Sequence, residues 1–394
     1  MWEMNEFFIL ILAPKKWREI NDDYKYRVVV IFCLFHLTDP DMATIISGEL
    51  CSGCDTTEYE IVEKCYKKDT AAIHVLRSHG VLPMSSKCPK CERDLRYYEQ
   101  ETMWRCTGSA KIPDSNKRKK CGYKISNYTG TFLENVRLAP WQVLLFSNSW
   151  VRKTFTHADA TENLEMSRKT SIDWRSFCSE VTLNWQANLQ QAIGGPGIIV
   201  EIDETVIVKR KYNKGRAIKE VWIFGGIERE SGKCFVIELL VAFNIENLSK
   251  DERLKRLPRD KATLLPIIQK FIRPGSIIYS DGWGAYNCLS ENGYTHDTVL
   301  HKNGNYVNPD NNVVHTQNIE RMWKDLKEWI SRPGMRPMYL QQYISRWLFA
   351  RRRPKSRCLH DFLVEAGKLY QHGHRNTSTV PSTKPSTSTG ASAM

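Results

Sequence analysis

No apolar run in this 394-residue sequence approaches the ~18–20 residues needed to cross a bilayer as a helix. The runs Phe7–Leu12 and Val28–Leu37 stop well short, so no membrane span is expected. A secretory leader pattern is also missing, and none is expected. Acidic residues are scarce relative to basic ones: 44 Asp and Glu stand against 57 Lys and Arg, a net charge of +13. That imbalance points to a polyanionic partner, nucleic acid first, although the sign of charge bears on association and not on fold. With 41% hydrophobic and 11% aromatic residues, the body of the chain has enough to fill cores. Only the stretch after Arg375, composed of Ser, Thr and Pro with almost nothing to bury, is expected to be a disordered tail.

Twelve cysteines are present, but a disulfide framework belongs to small secreted chains, and several of these thiols stand at metal-ligand spacing. Cys88 and Cys91 form a CxxC, followed by Cys106 and Cys121, and four thiolates suit one tetrahedral zinc ion. The second pair is not a close CxxC. It is separated by a segment that includes the basic run Lys117, Arg118, Lys119 and Lys120, which reads as a surface loop able to contact phosphate, serve as a localisation patch or simply be solvated. A second CxxC, Cys51 and Cys54, has Cys65 nearby and only His74 as a close fourth ligand; unpaired thiols are the alternative.

The length suits two or three domains at roughly 100–200 residues each. Residues 1–68 show no sustained period and receive no function. Residues 69–135 hold a short helix from Asp69 to His79 and the cysteine module. Residues 136–193 carry two helical patterns, about Pro140–Lys153 and Ser167–Leu189, the second with Ile172, Phe177, Val181 and Trp185 as its apolar face. Such a pair is either a DNA-reading helix-turn-helix or plain helical packing. Residues 194–355 alternate β-rich runs (Gly197–Lys209, Glu220–Glu228, Cys234–Val241, Ser276–Ser280, Thr298–His301) with helices at Lys261–Ile272 and His315–Ser331. That order predicts an α/β domain, a mixed sheet covered by helices. Residues 356–394 form a C-terminal segment that ends in the tail.

Within this domain, IIVEID delivers Asp203 from an apolar strand and IIYSD delivers Asp281 from another. A carboxylate on a buried strand is costly unless it is paired or binds a cation. HTQNIERMW sets Glu320 beside the apolar helical face of Ile319, Met322, Trp323 and Leu326, 39 positions after Asp281. Taken singly, each acid reads as a turn or surface residue. Together, two Asp on neighbouring strands and one Glu on the next helix can hold two Mg²⁺ or Mn²⁺ ions about 3.5–4 Å apart, the arrangement that drives in-line attack on a phosphodiester.

These motifs resemble the DDE transposases of the Merlin superfamily and their bacterial insertion-sequence relatives. The resemblance lies in VEIDET followed by KRKYNKGR, in VWIFGGIER, in YSDGWGAY and in HTQNIERMWKDLK, with the cysteine module upstream, over roughly residues 70–355. It implies a ribonuclease-H-like catalytic domain preceded by a zinc ribbon, and Asp203, Asp281 and Glu320 as catalytic metal ligands. The implied reaction excises and reinserts DNA bounded by terminal inverted repeats. Some relatives use Asn as the third ligand, and Asn318 lies two positions before Glu320. A helix turns roughly 100° per residue, so the two point about 200° apart, and Glu320 is favoured because a third negative charge balances two divalent cations. His315 is an auxiliary candidate or merely a helix-start residue.

Lys209, Arg210, Lys211, Lys214 and Arg216, close after the first acid, are expected to grip the backbone of double-stranded DNA at the terminal repeats and the target. Paired cleavage of two ends implies a homodimer or higher assembly, and a nuclear location is expected. The rival readings are a domesticated DNA-binding protein that has lost cleavage, and a nuclease acting on RNA–DNA hybrids.

Overall fold

The computed structural model describes residues 51–111, 118–189, 192–208, 221–239, 259–299, 307–308, 311–330 and 336–371. The unassigned region 1–50, the expected contacts Lys117, Lys209, Arg210, Lys211, Lys214 and Arg216, and the Ser/Thr/Pro tail lie outside the described residues. The chain divides into two compact units. Of the described residues, one holds 53–63 and 144–362, the other 51–52, 64–143 and 363–371.

The first unit is built on a five-stranded mixed sheet. Strands β6 (Ile199–Val208), β7 (Val221–Glu228) and β8 (Cys234–Glu238) form an antiparallel meander. The helix α6 (Lys261–Phe271), opened by the Asp260 carboxylate accepting from Thr263 N–H, carries the chain on to β9 (Ile277–Asp281). That strand pairs parallel with β6 on its free side, and β10 (Thr295–Val299) adds parallel to β9. The spatial order is β10-β9-β6-β7-β8, with the domain's first strand at the centre. Three antiparallel strands followed by two parallel to the first, flanked by helices, constitute the ribonuclease-H-like fold implied by the sequence.

A strand alternates its side chains between faces, and β6 uses both. Val200 and Ile202 enter a core with Phe224, Phe235, Leu264, Ile268, Ile278 and Leu289. Glu201, Asp203 and Thr205 project to the other face, where α7 (Gln317–Ile330) runs along the strand. Ile319, Met322, Trp323, Leu326 and Ile330 are the buried stripe of that helix, spaced as one helical face requires. Its approach depends on Gly225 of β7. A Cβ there would come 2.6 Å from the Trp323 ring and 2.7 Å from the Phe235 carbonyl oxygen, so only glycine lets the indole lie against the sheet. A short hairpin, β11 (Val307–Asn308) and β12 (Asn311–His315), precedes the helix. His315 therefore ends a strand and is not the first residue of the helix.

The rest of this unit is helical. The helix α4 (His157–Leu164) starts with a capping box of Thr156 and Asp159, and Glu165 in the left-handed region turns the chain into α5 (Arg168–Asn188). The expected apolar face of α5 needs correction at its start. Trp174, Cys178, Val181 and Trp185 are buried, whereas Ile172 is 47% exposed and Phe177 is only partly covered. The buried stripe packs on α8 (Leu340–Arg351), with Thr182 Oγ1 3.0 Å from Ser345 Oγ and Trp185 edge-on to Phe349. This unit also holds residues 58–63, 144–152 and 358–362 of three further helices, α1 (Glu58–Cys65), α3 (Pro140–Arg152) and α9 (Cys358–Gln371). The last occupies a segment in which no helix was expected.

In the second unit, α2 (Asp69–Ser78) precedes a three-stranded antiparallel sheet of β1 (Arg96–Tyr98), β2 (Met103–Arg105) and β5 (Lys124–Ser126). Arg77 ties helix to sheet: its guanidinium lies 3.8 Å from the Tyr97 ring centroid and donates to Asn127 Oδ1, which also accepts from Trp104 Nε1. Between β2 and β5, β3 (Ser109–Lys111) pairs with β4 (Arg118–Lys120). The basic run is thus an exposed strand from Arg118 onward and not a loop. Among the described residues, no helix is long and apolar enough to cross a membrane.

Candidate functional site

The parallel register of β6 and β9 carries the two aspartates to the same level. Glu201 lies opposite Tyr279, and two residues on, at the same offset, stand Asp203 in the middle of β6 and Asp281 at the end of β9. The helix α7 closes the site from above the sheet. Glu201 accepts from the N–H groups of Asn318 and Ile319, Trp323 Nε1 donates to Asp203 Oδ2 at 3.0 Å, and Lys327 Nζ donates to Thr205 Oγ1 at 2.6 Å. Strand residues 201–205 and helix residues 318–327 each span ~13 Å, so the three contacts hold the two elements side by side along their length.

An open cleft results, lined by Asp203, Thr205, Glu320, Trp323, Lys324 and Lys327. Glu320, Trp323, Lys324 and Lys327 are one helical stripe, so a carboxylate and two ammonium groups share the cleft wall. Asp281 does not itself line this cleft, but its charge reaches Asp203. Burial above all, then the charges of Glu204 and Asp281, push the Asp203 carboxyl up to about 7, against the Trp323 hydrogen bond that favours its ionised form. Glu204 projects to the opposite side of β6, where burial raises its pKa and the Tyr286 hydroxyl opposes that rise.

The carboxylate oxygens of Asp203, Asp281 and Glu320 do not form a group lying entirely within 4.8 Å, as one shared ion would require. A two-ion centre asks for less. In such a centre the three acids would not all have to hold the same ion. The burial and neighbouring negative charge that hold the Asp203 carboxyl up are what a divalent cation would relieve, and hard oxygen donors suit magnesium or manganese.

Glu201 was absent from the sequence-based candidates and is the best-satisfied acid in the region. It is fully buried, and besides the two helix N–H groups it accepts from Asn318 Nδ2 at 2.7 Å and from Arg229 Nε and Nη2 at 3.0 and 2.9 Å. Arg229 in turn donates to the carbonyls of Val313 and His315. Asn318 is therefore committed to Glu201, and His315 stands in the same cluster, its Nδ1 3.7 Å from Glu201. Neither lines the cleft. Of the two candidates for third ligand, Glu320 is the one that reaches it.

Elsewhere, the four expected thiols converge. Cys88, Cys91, Cys106 and Cys121 bring their sulfurs within 4.8 Å of one another, with Cys88 to Cys121 at 3.5 Å and Cys91 to Cys106 at 3.4 Å. Burial opposes ionisation of Cys88, but the backbone N–H groups of Lys90 and Cys91 and the Cys121 thiol stabilise the thiolate and hold its pKa at about 7. A tetrahedral sulfur set of this kind suits zinc. The other expected grouping changes: Cys65 is fully buried in its own unit's core and its thiol is pushed up by burial, while His74 is exposed on α2, so neither joins Cys51 and Cys54.

A ribonuclease-H-like sheet with acids on its central strand and on the strand beside it is an arrangement consistent with a polynucleotidyl-transferase type of enzyme. Residues 194–351 match the family model of the ISXO2-like transposase domain, and together with the fold this supports a DDE-type transposase domain within the chain. No curated protein matches the chain. Among solved structures, a chain from the cryo-EM structure of the simian T-cell lymphotropic virus intasome in complex with PP2A regulatory subunit B56 gamma is similar at 16% identity, over 62% of this chain and 80% of that one, with a TM-score of 0.26. The catalytic core domain of BIV integrase is similar at 15% identity, over 40% and 85% of the respective chains, with a TM-score of 0.24. Scores this low bear on neither fold nor reaction, and the strand order stands by itself.

Because Glu201 and Arg229 are both largely withdrawn from water, removing one charge strands the other. Glu201→Gln keeps the shape yet is expected to lower the unfolding free energy by roughly 3 kcal/mol. Urea unfolding of the full chain measures this, and an unchanged midpoint would show that the clamp contributes no net stability.

Proposed function

We propose that this chain is a DNA transposase of the Merlin superfamily that cleaves phosphodiesters at terminal inverted repeats and joins the freed 3′ ends to target DNA, acting as a dimer or higher assembly. The observation that carries the reading is that Asp203 on the central strand and Glu320 on α7 line one cleft, with Asp281 on the neighbouring strand close enough for its charge to raise the Asp203 carboxyl. The match to a transposase domain over residues 194–351 supports it.

In this reading Asp203, Asp281 and Glu320 hold the metal. When bound, a pair of divalent ions supplies activation of the attacking water or 3′-hydroxyl and stabilisation of the leaving oxygen. Asp203 would be one of the ligands, and the Trp323 Nε1–H donates to its Oδ2, which fixes the orientation of the carboxylate. Lys324 and Lys327 draw the phosphate backbone into the cleft, and Thr205 holds the Lys327 ammonium in place. The Arg118–Lys120 strand offers three exposed cations for a second backbone contact in the other unit. One zinc ion on Cys88, Cys91, Cys106 and Cys121 would fix the small sheet whose strands are each only three residues long.

Asp203→Asn, Asp281→Asn and Glu320→Gln are each expected to reduce Mg²⁺-dependent nicking of duplex DNA at least ~100-fold while leaving duplex binding within about twofold, since the grip lies in cations elsewhere. Gel assays of nicking and mobility separate the two, and nicking retained by all three variants would sink the assignment.

Asp203 also sets a pH dependence. Its carboxyl is raised above the unfolded value near 3.8, so the folded metal-free chain holds a proton that the unfolded chain has lost. Stability from this group is present at low pH and declines as pH rises to about 7. A cation must displace the same proton, so Mn²⁺ affinity should climb through that range and level off above it. Calorimetric titration at stepped pH tests this, and a flat profile would remove Asp203 from the ligand set.

For the thiolates, mercurial titration of the purified chain is expected to release one equivalent of zinc, and Cys88→Ser to release none while melting the second unit at lower temperature. Zinc unaffected by that substitution would place the ion elsewhere.

A further inference from the structure

Trp283 stands two residues after Asp281, and 47% of its surface is open to solvent. Isolated exposed apolar residues are ordinary, but this one is held at both ends. Its backbone N–H donates to Asp281 Oδ1 at 3.1 Å, and its indole Nε1 donates to the Arg259 carbonyl at 3.1 Å. The Arg259 guanidinium lies 3.7 Å from the Trp222 ring centroid and 5.6 Å from that of Trp283, so a cation is fixed beside the exposed ring. The next residue is Gly284, around whose Cβ position nothing lies within 4 Å. With its one polar atom already bonded, the indole has only a π face to offer, next to an acid of the metal site and beside a positive charge.

We infer that Trp283, with Arg259 beside it, is a stacking platform for an unpaired nucleobase of the DNA strand whose phosphate enters the cleft. This rests on the transposase reading and deepens it. A base inside a duplex has both faces covered by its neighbours and shows only its edges, so a bare indole face cannot stack on an internal base pair. A frayed or extruded base presents a free face and brings an adjoining phosphate, which suits an aromatic ring flanked by a guanidinium. The platform thus selects DNA that is opened at the reacting end.

The test uses the full chain in Ca²⁺, with two probes of the same sequence: a blunt duplex and a forked duplex carrying 2-aminopurine at the unpaired position nearest the fork. The wild-type chain is expected to prefer the fork and to quench the 2-aminopurine. Trp283→Ala should reduce the fork-to-blunt affinity ratio by ~5- to ~150-fold, the range that base–aromatic stacking supplies, and abolish the quenching; Trp283→Phe should restore most of both. If the wild type binds duplex but Trp283→Ala leaves ratio and quenching unchanged, this inference falls and the transposase reading stands. If Trp283→Ala instead dissociates an assembly of the wild type with the ratio unaffected, the ring is a protein interface and the inference is overturned. Failure of the wild type to bind either probe would overturn the DNA reading and this one with it.

Discussion

The buried carboxylate of Glu201 is the constraint from which the geometry of the site follows. It is shared by three parts of the domain: the strand that bears it, the first turn of α7, and Arg229 at the end of β7. A carboxylate with no exposure is costly without partners, and here helix N–H groups, the Asn318 amide and the Arg229 guanidinium all donate to it. Two of those donors are backbone N–H groups at a helix start, which have no partner inside the helix and carry its positive end. The strand therefore fixes the helix through N–H groups that have no partner inside it, and Glu320 sits one residue beyond the second of these groups. The distance between the acid on β6 and the acid on α7 is set there.

Asp203, two residues along the same face, has the opposite electrostatic environment. It is largely buried, the carboxylates of Glu204 and Asp281 add to the cost of its charge, and its pKa rises accordingly. One strand face thus presents a neutralised acid that holds structure and an under-compensated acid suited to a cation. The alternation of strand side chains makes this division possible, because Glu204, equally acidic and adjacent in sequence, is turned into the core on the other side.

The second unit solves a different problem. Strands of three residues bury little, and its local core is Cys88, Leu95 and Trp104 with partly covered aromatics. Converging thiols supply the cohesion that area cannot, and the Arg77 stack on Tyr97 binds the preceding helix to the same small sheet. The basic run is extended here because β4 pairs with β3, which directs its cations outward along an edge.

By itself the sequence determined the five strands of the main sheet and the helices between and after them, though not the β11–β12 hairpin, together with the strands that carry Asp203 and Asp281, the apolar stripe of α7 and the four converging cysteines. Each of these is a local signal, a period of two or 3.6 or a ligand spacing, readable without knowing what lies opposite. Tertiary structure decided the rest. It turned Asn318 and His315 toward Glu201, brought Lys324 and Lys327 to the cleft beside Glu320, exposed Ile172 while burying Trp174, and moved His74 and Cys65 away from metal-ligand roles. Those outcomes depend on which groups face each other across separate elements, and a buried donor or charge is satisfied by its neighbours in space, wherever they fall in the chain.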